Sequence, residues 1–158
     1  MKRIFLALVI VSAISPSVYA EEGAKTNREF SFAVGSHLAA FALPIYGLHY
    51  RQGLNDSLDF RAAVEAGQGT NSEFTGTQFF ITRLHGALLS KGWLYGGGGF
   101  SMINISATNA LAASNLSVNS IEAIAGLRLP VGNGTLGTEF RYGVTGPSTF
   151  TMSGGFAF

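Results

Sequence analysis

From residue 28 onward the chain alternates apolar and polar positions in short segments separated by turn residues, the period-two pattern of β-strands. The clearest run lies near 57 to 67, where Leu58, Phe60, Ala62, Val64 and Ala66 alternate with Asp59, Arg61, Ala63, Glu65 and Gly67. No helical spacing reproduces that order. Equivalent runs fall near 28 to 37 (Phe30, Phe32, Val34), 45 to 52 (Tyr46, Leu48, Tyr50), 119 to 129 (Ile121, Ala123, Ala125, Leu127), 136 to 144 (Phe140, Tyr142, Val144) and 149 to 158 (Phe150, Met152, Phe156, Phe158). Near 75 to 89 the pattern is less clean. Taking Phe80, Thr82, Leu84 and Leu88 as the apolar face sets Arg83 and His85 on the polar one, and it leaves Phe79 and Ile81 on the polar side too. A run near 93 to 102 is dominated by Gly96 to Gly99, so its facing stays open.

These are eight strands, and their connections differ in kind. Links around Asn55-Asp56, Ser90-Lys91-Gly92 and Gly132-Asn133-Gly134 are tight and turn-like, whereas 38 to 44, 68 to 74, 103 to 118 and 145 to 148 read as looser loops. Eight antiparallel strands with short turns on one side and longer loops on the other predict an all-β, up-and-down transmembrane β-barrel spanning residues 28–158.

Alternation alone does not say which face is inside. The polar face carries the small residues, and an eight-stranded barrel has an interior barely wide enough for side chains. The apolar face carries aromatics near segment ends, at Phe30, Tyr46, Tyr142 and Phe156, as the interface girdles of a membrane barrel do. On the polar faces Glu29, Asp59, Glu65, Glu122 and Glu139 stand against Arg51, Arg61, Arg83, Arg128 and Arg141. Charges held in a narrow space of low dielectric must be paired. All five cations are Arg, whose planar fork suits buried bidentate pairs better than Lys does. These ten residues are therefore expected to form an interior charge network. With the turns facing the periplasm, Glu65 and Glu122 lie nearer the mouth and the other eight lie in the periplasmic half.

The first twenty residues read as an export signal, not as structure. Lys2 and Arg3 precede an apolar run from Ile4 to Ile14, Pro16 breaks it, and Val18-Tyr19-Ala20 gives the small-x-small pattern before a cut between Ala20 and Glu21. A short polar segment, 21–27, follows. Without the leader the chain carries eight basic and nine acidic residues, so nucleic acid is not expected as a partner. Charged residues are only 12% of the 158, which is low for a domain wetted on all sides. The chain has no Cys, which excludes disulfides, thiolate metal sites and a Cys nucleophile.

Three segments carry a family resemblance. Gly47-Leu-His-Tyr-Arg-Gln-Gly-Leu-Asn-Asp-Ser-Leu-Asp-Phe60 resembles the second hairpin of the small eight-stranded outer-membrane proteins, the OmpX/Ail-like group and the OmpA transmembrane domain. Leu94-Tyr-Gly-Gly-Gly-Gly-Phe100 resembles their glycine-rich fifth strand, and Met152-Ser-Gly-Gly-Phe-Ala-Phe158 is similar to their terminal strand. The resemblance implies location in the bacterial outer membrane, lipid as surroundings, the barrel assembly machinery as a partner during biogenesis, and Phe156 and Phe158 as the assembly signal. The exposed segments are shorter than in that group, so no protruding sheet is expected.

Little in the chain points to catalysis. His37 beside Ser36 is a rim residue without the His-x-Ser pattern of the deacylase family, and Asp56-Ser57 lies in a turn. His49 and His85 fall on inward faces and read as members of the charge network. No two His have ligand spacing on one strand, so no metal is expected, nor any other cofactor. Gly96 to Gly99 lacks the Gly-Lys-Ser/Thr ending of a phosphate loop. The reading is a non-enzymatic outer-membrane barrel with a structural or surface-interaction role in adhesion or envelope integrity. Its interior is plugged, and its loops are the contact surface for an extracellular ligand. A narrow porin-like channel is the alternative, and a lipid-modifying enzyme the third reading.

Overall fold

Strands form where the alternation predicts them, because each offers one face of Gly, Ser, Thr and charge and another of aliphatic and aromatic side chains. A computed structural model describes residues 28–38, 43–55, 58–69, 72–88, 92–107 and 115–158. The expected signal segment, the polar stretch after it and the Asp56-Ser57 pair lie outside the described residues. The strands are β1 (Arg28–His37), β2 (Pro44–Gly53), β3 (Leu58–Gln68), β4 (Ser72–Leu88), β5 (Gly92–Ala107), β6 (Asn115–Val131), β7 (Gly134–Gly143) and β8 (Thr149–Ala157). Each pairs antiparallel with the next, and β8 returns to pair with β1 from Glu29↔Ala157 to His37↔Thr149, so the sheet is a closed barrel. Closure leaves no strand without a partner on either side, which removes the edge that would otherwise seek another chain. The backbone at Arg28 and Phe158 exchanges two hydrogen bonds, of 3.3 and 2.9 Å, and these extend the seam to the last residue. Between β6 and β7 the tight turn uses Gly132 at φ 61°, a left-handed conformation that favours glycine.

Two segments expected as loops are strand in part. β4 begins at Ser72, and the β5–β6 hairpin is paired as far as Ser106↔Asn115, so most of the expected 103 to 118 loop is ladder. Asn, Ser and Thr make this stretch look like loop, yet Ile103, Ile105 and Val118 pack at the loop end of the interior.

The outer surface is apolar. Ile121 and Val144 are each 68% exposed, and Phe32, Tyr142, Met152 and Phe156 are likewise exposed. A soluble monomer does not present so continuous an apolar belt to water. The interior is polar but not wholly so. Ile45, Phe74 and Ile103 close its loop end, and Phe80, Tyr95 and Ile124 form a second buried cluster at the waist. Glycine makes room for this second cluster, since a Cβ at Gly99 would strike Phe80 and one at Gly126 would strike Tyr95.

Facing in β4 is the reverse of the expectation. Phe74, Gly76, Gln78, Phe80 and Thr82 point inward, while Phe79, Ile81 and Arg83 point outward and are exposed. The waist takes a large ring, so Phe80 is an interior residue, and the polar signal on its face comes from Gln78 and Thr82. The β4–β5 register shifts between Leu84 and Gly86, just beyond Arg83. The side chain of His85 lies outside the described residues.

Candidate functional site: an interior charge network

Three layers of polar side chains fill the lumen, each built on the inward positions of several strands. At the turn end, Glu29 on β1 accepts from Arg51 Nε (3.3 Å) on β2, from Arg128 Nη2 (2.5 Å) on β6 and from Thr135 Oγ1 (2.5 Å) on β7. The other side of the Arg51 fork reaches Asp59 on β3, Nη1 to Oδ1 at 2.9 Å. One cation thus bridges two carboxylates, a use for which the planar, multi-donor guanidinium fork is preorganised.

At the waist Arg61 on β3 pairs with Glu139 on β7, and the Tyr95 hydroxyl donates to the same carboxylate oxygen at 2.8 Å. The Arg61 guanidinium also lies 4.6 Å from the centroid of the Tyr95 ring, a cation–π contact. Arg51 and Arg61 are directly opposed in register. Two like charges so placed would destabilise the ladder. They avoid each other because one turns toward the turn end and the other crosses the lumen.

In the third layer Arg141 on β7 donates Nη2 to Glu65 Oε1 on β3 at 2.6 Å and Nη1 to the Gln78 carbonyl oxygen on β4. Gln78 Nε2 donates in turn to Glu65 Oε2 at 2.8 Å, and His49 Nε2 lies 2.9 Å from Glu65 Oε1. Arg141 Nε stands 3.4 Å from Glu139 Oε1 and links this layer to the waist. Arg141 is 0% exposed and Glu65 2%. In a closed ring of eight, β3 and β7 are four strands apart in either direction. Arg61–Glu139 and Glu65–Arg141 therefore span the full diameter.

Nine of the ten expected residues face the lumen, and the tenth does not. Arg83 is exposed on the outside, opposite Leu58 at the turn-end limit of β3. There its long stem can lie on the apolar belt while its head reaches the polar boundary. Glu65 does not stand apart from the cations near the mouth, because Arg141 comes to it. Only Glu122 keeps the distance expected of both, accepting 2.5 Å from Ser101 Oγ and forming no ion pair among the described residues.

The residues missed by sequence reasoning are the neutral partners Gln78, Tyr95, Ser101 and Thr135. For Tyr95 a signal existed, since Gly126 lies directly opposite it across the β5–β6 ladder. His37 is not a rim residue. It is 4% exposed, its Nδ1 is 2.9 Å from Thr149 Oγ1, and its ring meets Phe74 edge-on at 4.4 Å. Ser36 donates to the His37 carbonyl, not to the ring.

A narrow vestibule open to solvent, lined by Glu29, Arg51, Asp59, Arg61, Tyr95 and Arg128, enters the barrel beneath the waist. Above it the cross-lumen pairs and the Ile45–Phe74–Ile103 cluster fill the interior.

Solved structures share this fold. The N-terminal β-barrel domain of Pseudomonas aeruginosa OprF superposes with a TM-score of 0.69 at 15% identity, over 86% of this chain and 100% of that one. Ail, the attachment invasion locus protein of Yersinia pestis, in complex with the heparin analogue sucrose octasulfate, gives 0.61 at 15% identity, over 84% and 97%. Neisserial surface protein A gives 0.60 at 14% identity, over 86% and 98%. The fold is that of the small eight-stranded outer-membrane β-barrels. No protein-family model matches the sequence, and no curated protein matches it either.

Proposed function

We propose that this chain is an integral protein of the bacterial outer membrane whose barrel is closed to solutes by its own charges, and whose role is structural or interactive, not catalytic. The observation that carries the reading is the pair of ion bridges across the full diameter, Arg61–Glu139 and Glu65–Arg141, with Gln78 and Tyr95 tied into them. A conducting pore needs a continuous water path, and these side chains cross the lumen between the vestibule and the loop end. The apolar belt supports a lipid surrounding, because a bilayer is the medium that such a surface fits. Loops at the end away from the tight turns are then the part left for contact outside the cell, in adhesion or in envelope integrity. Export through residues 1–20 and assembly through Phe156 and Phe158 complete the proposal. Phe158 stacks on Phe30 at 5.7 Å and sits 6.2 Å from Phe156.

Conductance of the refolded protein in a planar bilayer is the test. The expected record is flat, with rare brief openings at most. Sustained current from the wild type, unchanged when Arg61 and Glu139 are both replaced by Ala, would refute the plug and favour a narrow solute channel.

A further inference from the structure

On the outer wall, away from the lumen, the direct neighbours Tyr50, Ala62 and Phe79 line up in register across β2, β3 and β4. A methyl group between two rings leaves a trough. Strands are spaced about 4.8 Å apart, so the two rings stand about 10 Å from each other with Ala62 as the floor. One side is thickened by Phe30 against Tyr50, with centroids 5.0 Å apart, and the other by Phe60 stacked on Phe79 at 6.5 Å. With Val64 continuing the floor, the groove has a volume of about 160 Å³ and is open outward. Its lining is almost wholly apolar, so it is a shallow lipid-facing trough and not an enclosed ligand pocket.

The turn-side end of this groove is polar. The Tyr50 hydroxyl donates to Gln52 Oε1 at 2.9 Å. Beyond it, four residues along β4 from Phe79 and so about 13 Å at ~3.4 Å per residue, Arg83 projects outward. Arg83 makes no hydrogen bond or ion pair among the described residues. Arg51, Arg61 and Arg128, by contrast, have carboxylate partners inside the lumen. A guanidinium at the boundary of an apolar belt, without a partner among the described residues, matches a phosphate group, which it can bind in bidentate fashion.

We propose that this groove holds an acyl chain of an anionic diacyl phospholipid from the turn-side leaflet, with Arg83 on its phosphate. The proposal rests on the membrane reading given above, with the tight turns in the periplasm. Aliphatic chain fills the space over Ala62 between the ring pairs, and the headgroup level coincides with Gln52 and Arg83. The same facing that removes Arg83 from the lumen thus creates the cationic end of the site.

The test refolds the full chain into nanodiscs containing equal amounts of phosphatidylglycerol and phosphatidylcholine, strips bulk lipid with mild detergent, and counts retained lipids by native mass spectrometry. One Arg near an anionic lipid surface is worth enough for about a fivefold preference. The wild type is expected to retain phosphatidylglycerol over phosphatidylcholine by about that factor. Arg83→Gln should bring the ratio close to one while lipid is still retained, and Ala62→Phe should lower retention of both lipids. A wild-type ratio near one, or a ratio unchanged in Arg83→Gln, overturns the site and leaves the membrane reading standing. Dimers in place of retained lipid also overturn it, assigning the groove to a second copy. Failure of the wild type to enter the nanodisc overturns the membrane reading itself, and the site with it.

Discussion

Removing one end of the Arg61–Glu139 bridge leaves the other end largely buried without its counter-charge. The Arg61 side chain is 14% exposed and that of Glu139 6%. Glu139→Ala removes the partner of Arg61, the acceptor of the Tyr95 hydroxyl and the second carboxylate near Arg141. Stranding a buried charge in this way costs about 3 to 5 kcal/mol. With a denaturant dependence of roughly 2 kcal/mol per molar urea, the unfolding midpoint should fall by about 2 M. Arg61→Ala should cost a similar amount, because it leaves Glu139 with only Tyr95 and the more distant Arg141. The double variant strands neither charge, so its cost should fall short of the sum of the singles by roughly 2 to 3 kcal/mol. The measurement is urea titration of protein refolded in lipid vesicles, scoring the folded fraction by the mobility difference between unboiled and boiled samples. Singles costing under about 1 kcal/mol, together with strict additivity in the double variant, would show that the bridge is hydrated and the plug argument wrong.

Three further outcomes follow from other parts of the barrel. Phe158→Ser should sharply lower outer-membrane yield in cells while refolding in vitro suffers little, as fractionation and immunoblotting would show; normal yield would reduce Phe158 to ordinary strand packing. Gly126→Ala should destabilise by roughly 1 to 3 kcal/mol, since the new Cβ would strike Tyr95 and shift its hydrogen bond to Glu139; a neutral effect in the same titration would mean that the waist is loosely packed. Glu65→Gln should cost several times more than Glu122→Gln, because the first leaves Arg141 with only the more distant Glu139 while the second keeps its acceptor for Ser101; equal costs would contradict the Glu65–Arg141 pairing.

The barrel was legible in the chain because period two is a strong signal where one face is uniformly apolar, as from Leu58 to Ala66. It failed at β4 for a physical reason. The inward face there carries Phe74 and Phe80 beside Gln78 and Thr82, while the outward face ends in Arg83. Each face therefore mixes ring and polar group, and the rule that large apolar groups lie outside points the wrong way. What decides the facing is space. Gly99 leaves a pocket inside that only a ring from β4 fills, and this depends on register between strands, which composition does not reveal. The extended β5–β6 hairpin was hidden for the opposite reason. Its Asn, Ser and Thr residues suit turns, and only tertiary pairing makes them strand.

Counting five arginines against five carboxylates located the network without assigning its pairs. Overall neutrality is a condition on the sum, and it can be met by many pairings. With Arg83 outside, four arginines remain in the lumen against five carboxylates. The structure compensates with neutral donors: Thr135 on Glu29, Tyr95 on Glu139, Gln78 on Glu65 and Ser101 on Glu122. A buried carboxylate is tolerated when its lone pairs are satisfied, whether or not the donor carries a charge. Hydroxyl and amide groups on inward positions therefore belong in the count with the arginines. Small neutral donors are common on most strands of this chain, so their role could be read only once the register had brought particular ones within reach of particular acids.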